Sequence, residues 1–139
     1  TLEGQQAAMA SNSKKSTYTV GKYCVDLDVI NDIGVPSLSN AMNSSELIII
    51  DEIGKMETFS KQFREMTLRC LDADVPVFGS IQNFASPFIN TVTNRDDIVI
   101  INVNEGNRDD MPTNMTILLE ELLKKRKAAN KKTKRKKRR

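Results

Sequence analysis

The sequence has no histidine, no tryptophan and only two cysteines. Without histidine a Cys–His nucleophilic pair is excluded, and Cys24 and Cys70, 46 residues apart, fit no zinc pattern. Each cysteine has apolar neighbours and reads as a small buried hydrophobe, and nothing points to an oxidising compartment. Aromatic residues make up 5% of the chain, which allows a modest core. The longest purely apolar runs are four residues, as in Leu47–Ile50. That is far short of the roughly 18 a membrane span needs. There is no apolar segment of a secretory signal either, so the expected location is intracellular.

What is present is one domain's worth of chain, 139 residues, with a sharply divided charge. The net charge of +3 conceals an acidic body and a basic end. Residues 124–139 hold 12 of the 21 basic residues and none of the 18 acidic ones, leaving residues 1–123 at −9. An acidic body is a poor general binder of nucleic acid, whereas the end can meet any polyanion. The reading is therefore a folded region, 1–123, and a polybasic tail, 124–139.

The tail has no core-forming residue after Ala129 and is expected to be disordered. Lys124–Lys127 and Lys134–Arg139 have the spacing of a bipartite nuclear-targeting signal. In a eukaryote that implies a nuclear-import receptor and a nuclear or nucleolar location. A solubilising tail or unspecific nucleic-acid adhesion are the other readings.

Periodicity predicts an alternation of strands and helices. Residues 17–25 read as strand, turn at Gly21, strand, and Lys22 as a solvated turn residue. Asp26 is placed to cap a short helix running to about Asp32; Gly34 and Pro36 then punctuate the chain, and Pro36-Ser37-Leu38 is placed to start another short helix. Glu46–Asp51 is the clearest strand; its consecutive apolar residues suit a strand buried on both faces of a parallel sheet. Phe59, Phe63, Met66, Cys70 and Leu71 predict a helix over 58–72 capped by Thr58. A second buried strand follows at Val75–Ile81, then a short helix over 86–93, a third strand at Ile98–Val103 and a last helix over 113–127. This alternation predicts an α/β fold with a mostly parallel sheet.

The chemistry concentrates where the first buried strand ends. Four apolar residues followed by Asp51-Glu52 have the form of a Walker B element. Such a strand delivers its carboxylates to the carboxyl end of a parallel sheet, where ligands bind in open α/β folds. Asp51 is then the candidate Mg²⁺ residue, acting through water because Mg²⁺ gives up its hydration reluctantly. Glu52 is the candidate catalytic residue, orienting or deprotonating the attacking water. Acids that merely cap the next turn are the competing reading.

The wider string Asp51-Glu52-Ile53-Gly54-Lys55-Met56-Glu57, with Phe59-Ser60, resembles the signature of the family known in humans as cancer-related nucleoside-triphosphatase. Val20-Gly21-Lys22-Tyr23, Val25-Asp26-Leu27 and Val35-Pro36 with Leu38 are similar to an upstream segment of that family. Pro76-Val77, Asn94-Arg95-Asp96-Asp97 and Asn107-Arg108-Asp109 with Pro112 are similar to downstream ones. The resemblance is collinear over roughly residues 1–123. It implies a three-layer P-loop NTPase fold and Mg²⁺-dependent hydrolysis of nucleoside triphosphates, ATP and GTP among them, to diphosphate and phosphate. It makes Lys55, Asn107 and Arg108 candidate nucleotide-binding residues. Lys55 can instead pair with Glu52 or Glu57, Arg108 with Asp109 or Asp110, and Arg95 is read as structural.

The family's Gly-rich phosphate loop, G-x-x-G-x-G-K-[ST], is absent from this sequence, since Gly21-Lys22 is followed by Tyr23. The resemblance places the first strand, that loop and the first helix ahead of Thr1. An arginine expected near Gln5 or Gln6 is also missing. The chain taken alone is accordingly expected to be marginally stable and to release no phosphate from ATP. A non-catalytic α/β binding protein using its basic tail is the alternative.

Overall fold

The structure, a computed structural model, describes residues 1–13 and 15–136, with side chains as far as 128. It divides into two compact units, Thr1–Ile98 and Val99–Arg139. Among the described residues no helix is long and apolar enough to cross a membrane.

The first unit opens with three short antiparallel strands, β1 (Ala10–Ser11), β2 (Thr19–Val20) and β3 (Tyr23–Val25), in the order β1-β3-β2. The β2–β3 hairpin turns at Gly21, whose φ of 57° is open to glycine without a Cβ clash, and Lys22 lies exposed in the turn. Asp26 caps helix α1 (Leu27–Val29), its side chain accepting from the Val29 N–H at 3.4 Å. The second helix expected at Pro36 does form, beginning at Val35, but no loop separates it from the first. The helix continues through a π-helical segment, Ile30–Gly34, into α2 (Val35–Ser44). Pro36 sits in the first turn of α2, where a proline's missing N–H breaks no intrahelical bond.

Strand β4 (Ile48–Ile53) follows, then a 3₁₀ turn at Glu57–Phe59, helix α3 (Lys61–Leu71), β5 (Val77–Ile81) and α4 (Pro87–Thr93). Helix α3 is the crossover that lets β4 and β5 run parallel, with Ile48 opposite Val77, Ile49 opposite Phe78 and Ile50 opposite Gly79. The expectation that Leu47–Ile50 is covered on both faces needs correction. Ile48 and Ile50 are buried, but Ile49 is 63% exposed. Residues of α2 and α3 share a core with Ile48 and Ile50, and β5 is the sole strand paired with β4 among the described residues.

The core gathers Ile48, Ile50 and Ile53 of β4, Phe63, Met66 and Cys70 of α3, Leu38 of α2, and Val25. The predicted face of α3 is thus the one that is buried. Its cap is Ser60 rather than Thr58. The 3₁₀ turn occupies residues 57–59, so the first extended residue before the helix is Ser60, whose hydroxyl accepts from the Phe63 N–H at 3.0 Å. The Ser60 hydroxyl also donates to Asn31 Oδ1, tying the π-helical segment to the start of α3. The Thr58 hydroxyl instead donates to the Gly54 carbonyl at 2.7 Å. Both cysteines are free; Cys70 is fully buried, and burial pushes its thiol above the ordinary value.

The strand expected over Ile98–Val103 is not formed. Val99 and Val103 are 82% and 62% exposed. An apolar run becomes a strand only when a neighbour takes its N–H and C=O groups, and no described strand pairs with this one. Helix α5 runs from Met111 to Lys136, beyond the predicted 113–127. Where composition predicts disorder after Ala129, the backbone is helical to Lys136, because alanine, lysine and arginine are good helix formers. Residues 137–139, part of the expected tail, lie outside the described residues.

Candidate functional site

The register of the β4–β5 pair breaks at the two acids. Ile50 faces Gly79 and Ile53 faces Ile81, so Asp51 and Glu52 together oppose the single residue Ser80. That is a β-bulge, a device that re-aims side chains and is common beside active sites. Both acids are exposed. The Ser80 hydroxyl donates to Asp51 Oδ1 at 3.1 Å, fixing one carboxylate oxygen. The peptide bond between the two acids is cis.

The loop after β4 folds back over Gly54. The Gly54 N–H donates to Glu57 Oε2 at 3.1 Å. A Cβ on Gly54 would lie 2.9 Å from Glu57 Oε2 and 3.2 Å from Glu52 Oε2, so glycine here is what lets the two carboxylates converge. Glu57 is half-buried. Burial pushes its carboxyl above the ordinary value, and the charges of Glu52 and Asp51 push the same way against its backbone hydrogen bonds. The Lys55 N–H donates to Gln82 Oε1 at 3.1 Å, holding the loop against the end of β5.

Of the sequence candidates, Asp51, Glu52 and Lys55 are brought together on β4 and its loop. The Lys55 ammonium lies 5.5 Å from the Phe84 ring centre, rather than in an ion pair with Glu52 or Glu57. Asn107 and Arg108 fall in the second unit. Asn107 Oδ1 accepts from the Asn104 N–H and its Nδ2 donates to the Asn102 carbonyl, both at 2.8 Å, so its amide shapes the loop before α5. Arg108 Nε is 3.5 Å from Asp109 Oδ1 and exposed. Arg95 is structural as read. It pairs with Asp72 at 2.7 Å and Asp97 at 2.6 Å, which raises its pKa further and lowers that of Asp97.

Sequence reasoning passed over Ser80 and Gln82 and offered Glu57 only as an alternative partner of Lys55. Nothing in the predicted strand Val75–Ile81 singles out Ser80. The oxygen donors at the bulge suit a hard cation such as Mg²⁺. No group of three or more acidic, cysteine or histidine side chains among the described residues could hold a metal by itself. A cation on Asp51 would therefore draw its other oxygens from water and phosphate.

A family model described as NTPase matches residues 1–116. The chain belongs to this NTPase family. Among its members, the nucleoside-triphosphatase THEP1 of Thermotoga maritima is 41% identical over 111 residues, covering 80% of this chain and 64% of the relative. The THEP1 of Thermotoga sp. strain RQ2 is 42% identical with the same coverage. The chain thus spans just under two thirds of the length of these relatives. The crystal structure of THEP1 from Aquifex aeolicus superimposes with a TM-score of 0.77 at 31% identity, over 85% of this chain and 73% of that one. The solution structure of a human cancer-related nucleoside triphosphatase gives 0.70 at 27% identity, over 86% and 70%. The α/β fold with its parallel strands is that of these NTPases, as the resemblance implied.

Proposed function

We infer that the protein hydrolyses nucleoside triphosphates to diphosphate and phosphate with Mg²⁺, and that β4 carries the acids of that reaction. The observation behind this reading is the bulge. It sets Asp51 and Glu52 side by side and exposed at the carboxyl half of a parallel strand, where open α/β sheets bind ligands. Asp51, steadied by Ser80, would hold Mg²⁺ through water; the bound cation would neutralise charge on the phosphates. Glu52 orients the attacking water or takes its proton. Glu57, whose carboxyl is pushed above the ordinary value by burial, keeps a second carboxyl beside Glu52. Lys55 is the candidate cation toward phosphate, and Asn107 and Arg108 toward the nucleotide.

No Gly-rich phosphate loop of the form G-x-x-G-x-G-K-[ST] occurs in this sequence, so the test supplies one ahead of Thr1. The test is phosphate release from several nucleoside triphosphates with Mg²⁺ by the chain carrying its Gly-rich loop. Glu52→Gln is expected to lower turnover on the order of tenfold or more while sparing nucleotide binding. Unchanged turnover would remove Glu52 from the mechanism.

A further inference from the structure

Helix α5 begins as an amphipathic helix and ends as a basic one. Met111, Met115, Leu118, Leu119, Leu122 and Leu123 fall at i, i+4, i+7, i+8, i+11 and i+12, one stripe of a 3.6-residue period. The stripe is open to solvent at Leu118 and Leu122, which are 50% and 42% exposed. By the same spacing Glu120 and Glu121 lie off the stripe, and Glu120 is paired with Lys124 at 3.4 Å. Directly after Leu123 the chain turns basic, with 12 basic residues and no acidic one over residues 124–139. Lys125 and Lys127, both exposed, fall on opposite flanks of the apolar stripe.

We propose that α5 is a docking surface for an anionic lipid bilayer, lying in its interface with the leucine stripe toward the acyl chains and the basic run against the headgroups. Two signals on one helix carry this. An apolar face alone or a basic patch alone binds a membrane weakly, whereas the pair adds buried apolar area to attraction for anionic lipid. The helix lies on the bilayer rather than through it, since it is not long and apolar enough to cross. Charge complementarity by itself would also admit a nucleic acid. The stripe decides between them: phosphate contacts have no use for exposed leucines, and a stacking platform needs aromatic side chains. Helix α5 has no aromatic residue. The basic run also continues well past the last leucine, so it calls for an extended plane of negative charge rather than a groove the length of the stripe. The surface belongs to α5 alone and does not rest on hydrolysis.

The probe is a vesicle of equal parts phosphatidylcholine and phosphatidylserine, incubated with the full chain and floated on a density gradient, which separates bound chain from aggregate. The chain is expected to float with these vesicles and not with phosphatidylcholine alone. The double variant Leu118→Gln, Leu122→Gln changes two exposed positions to another good helix former. It should weaken vesicle binding on the order of tenfold while leaving retention on heparin unchanged, because the charge is untouched. A second variant reads the docked helix directly. The chain has no tryptophan, so Leu118→Trp places a single reporter on the stripe. Its emission should shift to the blue with the anionic vesicles and stay in place with heparin or a single-stranded oligonucleotide. Failure of the folded chain to float with anionic vesicles overturns the proposal. So does equal flotation of the double variant, which would reduce the contact to charge alone. A blue shift with the oligonucleotide but not with vesicles would also overturn it and make the partner a nucleic acid.

Discussion

At the residue scale the most informative groups are Glu57, at the end of the motif string, and Thr67, which lies in no motif. Glu57 is an acid whose pKa in the folded chain is raised, so the folded state favours its protonated form. Its contribution to stability is fully present below the unfolded-state pKa, about 4.3 for glutamate, and is lost as pH rises through the raised folded value. Glu57→Gln keeps an oxygen for the Gly54 N–H and removes the charge facing Glu52. Its urea midpoint is expected to exceed that of the wild type at pH 7, with the two converging near pH 4. A midpoint below wild type at pH 7 would show that the ionised carboxylate is needed to hold the loop. Thr67 is fully buried in α3, and its hydroxyl has no hydrogen-bond partner among the described residues. Thr67→Val removes that unpaired group at nearly constant shape and should raise stability by about 1 kcal/mol, measured by chemical denaturation. The sequence marked Asp51, Glu52 and the α3 core positions because each lies in a pattern. Ser80 and Thr67 were illegible because what distinguishes them is a partner, gained or lacking, that no spacing records.

At the element scale β4 and β5 decide the site. Gly79 faces Ile50 across the parallel ladder, and a Cβ there would strike the Ile50 carbonyl. Gly79→Ala is therefore expected to destabilise the chain by roughly 1–3 kcal/mol, the usual cost of overpacking, and to disturb the bulge at Asp51–Glu52. Denaturation should report the first effect and loss of turnover the second; a neutral substitution would mean that β5 can slide without penalty. The four-residue apolar run correctly marked β4, but composition could not say which of its faces is covered. Successive residues of a strand face opposite ways, so Ile49 stays exposed while Ile48 and Ile50 are buried. Ile98–Val103 is likewise strand-like in sequence, but no strand pairs with it among the described residues.

At the scale of the whole molecule the charge division is the dominant feature. Ending the chain after Leu123 removes twelve basic residues and turns the net charge from +3 to −9. The full chain is expected to bind heparin at neutral pH with a steep dependence on salt, as each neutralised anion releases a counterion. The shortened chain should pass through unretained. Equal retention would place polyanion binding on the acidic body. Sequence alone determined the charge division, the α/β alternation, the two acids at the end of an apolar strand and the family, because each is carried by local order or periodicity. Tertiary structure decided which face of β4 is covered, that two acids share one partner in a bulge, and that Glu57 turns back to Glu52 over a glycine. Those depend on register and on contacts between distant residues, such as Asp51 with Ser80 and Lys55 with Gln82, for which a one-dimensional pattern holds no record.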